Sequence, residues 1–231
     1  MEQGSGLKAL EPIKVQTVAD TVFEELHQQI LSLELPPGTK VSEIEVAKAL
    51  GISRQPVRDA FFRLSQLGFL LIRPQRATVI TKISERAVIR AKFVRTALEL
   101  ACWSAAIKVI TDEQIDDLEA ILKEQDVAVQ GNHLQLFHTL DDNFHRCICE
   151  ISGHDYVWSL IREQKAHMDR VRFLSLTIGA SQRAYDDHLI LIEALRKKDK
   201  YGVEAALIEH LQRIELIVKH IRAEKPEYFE D

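Results

Sequence analysis

The sequence is poor in everything that would staple, span or break a chain: three cysteines, six prolines and nine glycines in 231 residues. The cysteines are Cys102, Cys147 and Cys149. An odd number, with two of them one residue apart, argues against a disulfide framework and for reduced thiols in a cytoplasmic protein. No run approaches the roughly 20 apolar residues of a membrane-spanning helix, so no membrane partner is expected. The opening Met1-Glu2-Gln3-Gly4-Ser5-Gly6 has neither the basic nor the apolar region of a secretory leader, and residues 1–14 read as a flexible tail. Internal repeats, low-complexity tracts and the H-E-x-x-H pair of a zinc hydrolase are all missing. What remains is an ordinary globular profile, 46% hydrophobic and 28% charged, long enough for one or two domains.

The formal net charge of −5 argues at first against a nucleic-acid partner. Its distribution reverses that. Between Ser53 and Lys82, Arg54, Arg58, Arg63, Arg73, Arg76 and Lys82 face one acid, Asp59, so this window carries +5 and the remainder −10. A basic face on an acidic protein suits a polyanion, while the acidic bulk suppresses indiscriminate binding. Charge runs are more often plain solvated surface, so the helix that carries the window matters more than its sum.

Two textures meet near Ile83-Ser84, dividing the chain into 15–82 and 84–223, with 224–231 as a C-terminal tail. In the first segment a helix over Thr17–Leu33 carries Val22, Leu26, Ile30 and Leu33 at spacings of four, four and three. Pro36-Pro37-Gly38 stops it. Ser42-Glu43-Ile44-Glu45 has the form of a capping box, opening a helix expected to turn Ile44, Ala47 and Leu50 inward. Gly51 ends that helix, Ser53 caps the next to about Gln66, and Gly68 ends it. Phe69–Arg73 and Ala77–Thr81 are β-prone around Pro74-Gln75-Arg76. Two short helices, a tight turn and a hairpin make a winged helix-turn-helix. The second segment predicts helices over Ser84–Ile110, Thr111–Gly131, His133–Ser152, His154–Leu176, Ser181–Lys198 and Gly202–Ala223, with Ser84, Thr111, Ser181 and Asp199 at caps or turns. The fold class is therefore mainly α: a winged helix-turn-helix followed by an all-α antiparallel bundle.

On the helix from Ser53, Val57, Phe61 and Leu64 recur at i, i+4 and i+7 with Ala60 beside them, so that face packs inward. Arg54, Gln55 and Arg58 then point away from the first turns, where a recognition helix meets base edges. Arg suits guanine O6 and N7, and Gln suits adenine N6 and N7. Pro56 costs little so near a helix start.

These residues carry a resemblance. Leu35-Pro36-Pro37-Gly38, Val41-Ser42-Glu43 and Ala47-x-x-Leu50-Gly51-Ile52-Ser53-Arg54-x-Pro56-Val57-Arg58-Asp59-Ala60-x-x-Arg63-Leu64-x-x-x-Gly68 resemble the DNA-binding domain of the GntR family of transcription regulators. The family has Glu where Asp59 stands. The resemblance implies DNA contacts at Ser53, Arg54, Gln55 and Arg58, and at Gln75 and Arg76 on the wing, although the Gly common at the wing tip is missing. An Arg sometimes found on the preceding helix is replaced by Ile44.

Eight of the nine histidines lie beyond residue 84. A single histidine is more often surface or satisfied core than a ligand, but four residues have telling spacings. Asp141 and His145 are i and i+4 on one helix face. His188 lies 11 residues before Asp199 and His210 11 after it, so an antiparallel pair turning at Asp199 puts both at one height, roughly 16 Å from the turn. Three imidazoles and a carboxylate suit a divalent metal ion, zinc or nickel before others. Cys149, four residues beyond His145, is either a fifth ligand or a buried thiol, and burial is the commoner fate.

The same residues, in Asp141-x-x-Phe144-His145, Asp187-His188-x-x-Leu191-Ile192-x-Ala194-Leu195-x-x-x-Asp199 and Ala205-Ala206-x-x-x-x-His210-Leu211, resemble the FCD ligand-sensing domain of FadR-type members of that family. The resemblance implies metal ligation by Asp141, His145, His188 and His210. Arg95, within Val94-Arg95-x-x-Leu98-Glu99-x-Ala101, is then the residue to hold a carboxylate ligand. His154 stands where the family commonly has Asn. The expected function is a homodimeric regulator whose affinity for double-stranded, pseudo-palindromic operator DNA is set by a small organic acid bound at the metal. A metal-sensing regulator and a zinc-dependent hydrolase are the alternatives, and the chain is expected not to be an enzyme.

Overall fold

The computed structural model describes residues 16–73, 75–175 and 179–230. The expected N-terminal tail, Pro74 of the hairpin and the predicted helix end at Leu176 lie outside these residues. The first half is built from α1 (Val18–Leu31), β1 (Lys40–Val41), α2 (Glu43–Leu50), α3 (Arg54–Gln66), β2 (Leu70–Leu71) and β3 (Thr78–Ile80). Thr17 starts α1 with a reciprocal cap: its hydroxyl accepts the Asp20 N–H at 3.1 Å and the Asp20 carboxylate accepts the Thr17 N–H at 2.9 Å. Gly51 turns α2 into α3 at φ +66°, a left-handed backbone that a residue without Cβ adopts freely. Val57, Ala60, Phe61 and Leu64 are buried against Val22, Phe23, Leu26 and Ile30, as the helix wheel predicts.

Several expectations need correction here. Ser42 occupies the cap position of α2 but makes no side-chain capping bond. Ile44 and Leu50 are 59% and 46% exposed and only Ala47 is buried, because this eight-residue helix meets α3 along a line narrower than its apolar stripe. The wing has a strand that the sequence hides in two residues: β1 pairs with β3 (Lys40↔Val79) on the edge opposite β2 (Leu71↔Val79), giving a three-stranded antiparallel sheet.

The second half is a bundle of α4 (Glu85–Val109), α5 (Asp112–Gln130), α6 (Leu134–Ile151), α7 (Tyr156–Ser175), α8 (Ala180–Arg196) and α9 (Lys200–Glu224). Thr111 caps α5 reciprocally with Gln114, and Asp199 caps α9 through the Gly202 N–H at 3.0 Å, so the α8–α9 turn falls at Asp199 as predicted. Ser181 is not a cap; Gly179 holds that position at φ +74° and Ser181 is buried inside the first turn. α4 packs on α6, α7 and α9, while α5 and α8 close the other side, around Trp103, Leu118, Phe144, Ile148, Leu191 and Leu207. Residues 224–230 do more than trail. A 3-10 turn at Pro226–Tyr228 brings Phe229, 1% exposed, beside Ile83, whose N–H donates to the Tyr228 carbonyl at 2.8 Å and whose carbonyl accepts the Glu230 N–H at 3.0 Å. The junction between the halves is thus pinned by the chain's far end. Among the described residues no helix is long and apolar enough to cross a membrane.

Candidate functional site

The face of α3 opposite its core carries Arg54, Gln55 and Arg58, all exposed, with Ser53 at the cap position just before them. Their polar ends are loosely held. Arg54 and Arg58 approach one Glu43 oxygen on α2 at 3.4 and 3.6 Å, and Gln55 donates to Asp59 at 2.9 Å. Such exposed pairs contribute about 0–1 kcal/mol and yield readily to a phosphate or base. Gln75 and Arg76 are exposed at the wing tip, on the strand pair that follows α3. Gln75 takes the left-handed backbone, φ +58°, that a glycine would have filled.

The other four predicted residues meet in the bundle. One ligand atom each from Asp141, His145, His188 and His210 lie within 4.8 Å of one another. Asp141 and His145 come from adjacent turns of α6; His188 and His210 face across the α8–α9 pair. Asp141, His145 and His188 are 0–1% exposed, and the His210 side chain 8%.

Each imidazole is anchored through its inner nitrogen. His145 Nδ1 donates to Glu99 at 2.6 Å, His188 Nδ1 to the Gln125 side-chain carbonyl at 2.8 Å, and His210 Nδ1 to Asp187 at 3.2 Å. The protons are thereby fixed on Nδ1 and the Nε2 lone pairs left for a ligand, as outer partners do around bound metals. Nε2 of His145 and of His188 are buried with no hydrogen-bond partner. One Asp141 oxygen is paired with Arg172, whose Nη2 lies at 2.5 Å, and the other has no hydrogen-bond partner among the described residues.

Electrostatics agrees with that assignment. Burial holds the His188 and His210 pKa values below the ordinary value, so both are neutral, the ligating form. Burial opposes ionisation of Asp141, but the guanidiniums of Arg172 and Arg95 outweigh it and hold the carboxyl well below its usual range. A tetrahedral zinc ion with bonds near 2.1 Å would set its ligands about 3.4 Å apart, so the widest pair in the cluster, within 4.8 Å, would close by up to about 1.4 Å. The donor set, its burial and its unpartnered atoms fit a divalent ion.

A cavity of about 370 Å³ reaches the cluster at His210. Arg95, Arg172, Arg183 and Arg213 line it and, among the described residues, no carboxylate does. Arg95 is buried, its Nε bonded to Glu99 at 2.5 Å and its Nη2 unpartnered. A larger cavity of about 700 Å³ lies away from the cluster, between α1, α3, α6 and α7. Its charges balance, with Arg63, Arg146, Arg162 and Lys165 set against Glu24, Asp142, Glu163 and Asp169, so size does not make it the anion site. Cys149 is fully buried beside Cys102 in the apolar core, not a fifth ligand of the cluster.

Sequence reasoning did not single out Glu99, Gln125, Asp187 or Arg172 for any role. Asp187 adjoins His188 and Glu99 is one turn from Arg95, so these two had a local signal. Gln125 and Arg172 had none.

Residues 18–80 match the bacterial regulatory proteins of the gntR family, and residues 93–213 match the FCD domain. The chain is 37% identical over 217 residues to the HTH-type transcriptional repressor RspR of Escherichia coli (strain K12), covering 94% of this chain and 95% of that protein. It is 27% identical over 200 residues to the gluconate operon transcriptional repressor of Bacillus subtilis (strain 168), covering 83% and 82%. The solved structure of E. coli McbR/YncC shares the fold at a TM-score of 0.76 and 22% identity, over 90% of this chain and 100% of that one. These relatives are transcription regulators, which removes the hydrolase alternative. The chain belongs to the GntR family of bacterial transcription regulators, with a DNA-binding winged helix-turn-helix followed by an FCD ligand-binding domain.

Proposed function

We propose that this regulator binds a pseudo-palindromic operator as a homodimer and that a small organic acid, bound at a divalent metal, modulates its DNA affinity. The reading takes residues 15–82 as the DNA-reading unit and 84–223 as the sensing and dimerising unit, working in the cytoplasm. One observation carries it: the four-arginine cavity free of carboxylates opens onto a buried Asp-His-His-His cluster whose imidazoles already present Nε2. Asp141, His145, His188 and His210 would hold the ion, which supplies Lewis acidity toward an anionic ligand. Arg95, through its unpartnered Nη2, would take a carboxylate of that ligand.

Ser53, Arg54, Gln55 and Arg58 would read or hold the operator in the major groove, with Gln75 and Arg76 of the wing at the minor groove. For dimerisation, the outer face of α4 offers Phe93, 73% exposed, with the small Ala97 and Ala101 one and two turns along, a strip that a second copy could cover. Two copies place two α3 helices on half-sites about one helical turn apart.

Elemental analysis of the purified protein, followed by titration of citrate into zinc-loaded and chelator-stripped protein and into its mixture with upstream DNA, tests the reading. Acid binding that needs the metal and shifts DNA affinity supports it. A DNA response to zinc alone, with the cavity indifferent to carboxylates, would instead make the ion the signal.

A further inference from the structure

α7 has a buried face toward each half of the molecule. On its first face Lys165, Asp169 and Arg172 recur at spacings of four and three, 1%, 4% and 15% exposed at their side chains. Lys165 pairs with Asp169 at 2.6 Å and with Asp142 of α6 at 2.9 Å, and His138 Nε2 stands 3.4 Å from the other Asp169 oxygen. Arg172 ends this network on the ligand cluster, with Nη2 2.5 Å from Asp141. Its other nitrogen, Nη1, stands 3.8 Å from both Asp142 and Asp169, makes no hydrogen bond, and belongs to a side chain that lines the four-arginine cavity.

The second face turns to the winged helix. Ala166 enters the core of the first half. His167 meets the carbonyl of Leu67, the C-cap of the recognition helix α3, at 2.9 Å, and its ring stacks on Phe69 at 4.7 Å. Arg170, fully buried, donates to the carbonyl of Thr81 just beyond wing strand β3 at 2.7 Å. The end of α3 and the end of the wing therefore both hang on one short stretch of α7. The 700 Å³ cavity beside that stretch leaves room for the halves to shift about it.

We infer that Arg172 is a positioning residue that couples the ligand cavity to the recognition helix and wing through α7. This rests on the sensing role proposed above for the cavity. Nη1 is poised between two partners too distant to saturate it, and a carboxylate in the cavity competes for it on better terms, as a charge-assisted hydrogen bond. Taking Nη1 leaves Asp142 to Lys165, and Asp169 to Lys165 and His138, and changes how α7 sits on α6. Because His167 and Arg170 ride on the same helix, Leu67 and Thr81 move with it.

Hydrogen exchange of the full chain without metal, acid or DNA tests the coupling separately from the proposed function, which concerns binding. Arg172→Gln should speed exchange at residues 67–70 and 80–83 by roughly tenfold or more, with residues 115–122 of α5 within about twofold of the parent. Arg213→Gln, which also removes a cation from the cavity but is not part of the α7 network, should leave the seam unchanged. The reciprocal variant Arg170→Gln should speed exchange at residues 138–145 of α6, since coupling runs both ways. Effects confined to each variant's own neighbourhood, or spread evenly into α5, would overturn the inference. A seam response with no metal or acid binding would leave the coupling standing and sink the sensing role.

Discussion

The two candidate sites are built on opposite plans. The basic residues of α3 stand in water, paired with Glu43 at 3.4 and 3.6 Å, so their partners are easily exchanged. The polar residues of the bundle lie in the dry interior, each imidazole fixed by a second residue from another helix. DNA arrives as a large polyanion and rewards mobile cations that neutralise phosphates and adapt to bases. An ion arrives alone and rewards ligands whose orientation is fixed beforehand. The difference says where each function is fragile: the bundle site to loss of any one group, the helix face only to loss of those that touch bases.

His188→Ala should break this contrast most visibly, since it removes one of the four proposed ligands outright. Zinc affinity should fall by more than the roughly 10–100-fold that loss of an outer partner costs, read by titration of stripped protein, while affinity for operator DNA without effector stays close to the parent. Glu99→Gln keeps the shape and removes the charge behind His145 Nδ1 and Arg95. Burial opposes ionisation of Glu99, and Arg95 and His145 outweigh it and hold the carboxyl well below its usual range, so the charge is present at neutral pH. Its loss should weaken zinc by roughly 10–100-fold, and an unchanged affinity would show that the outer partners are decoration.

Arg54→Ala probes the other plan. Specific DNA binding should weaken by about 1–3 kcal/mol with zinc binding untouched, measured by anisotropy against specific and random duplexes. An equal loss on both duplexes would make Arg54 a phosphate contact and not a reader of bases.

These contrasts also explain what was legible beforehand. Residues one or two turns apart on one helix advertise themselves, which is why Val57, Phe61 and Leu64, and the Asp141–His145 pair, stand where their spacing placed them. His188 and His210 were legible because Asp199 marks the turn between their helices. Glu99 and Gln125 sit 46 and 63 residues from the histidines they orient, on helices whose packing no local pattern specifies. Arg172 is one of many cations until α7 is seen against α6. The two-residue strand β1 and the outward Ile44 and Leu50 were misread for the opposite reason: elements this short give too few positions for periodicity to decide.

Acid should weaken the first half through one buried imidazole outside both sites. His27 on α1 stacks on Phe23 and meets Phe69 edge-on, and burial pushes its imidazole down to about 4 from 6.5, against a smaller upward pull from Asp169. The unfolded chain thus binds a proton here that the folded chain refuses. The stability contributed by the neutral form is complete above pH 6.5 and is lost as pH falls through about 4. The loss is on the order of 3 kcal/mol, and His27→Leu should flatten that part of the pH–stability curve in chemical denaturation.

The smallest effect lies at the wing tip, where the two demands on the reading half conflict. Gln75 holds φ +58°, a left-handed conformation that costs a residue with Cβ about 1–2 kcal/mol. Gln75→Gly relieves that strain but adds about 0.5–1 kcal/mol of backbone entropy to be lost on folding. The balance favours the variant by roughly 0.5–1 kcal/mol, visible as a raised midpoint in urea. If the exposed Gln75 side chain meets the operator, the more stable variant should bind it more weakly, so that stability and affinity move in opposite directions. A gain in both would show that the tip is held by its backbone alone, and that the reading half depends on α3 for its contacts as fully as the bundle depends on its four ligands.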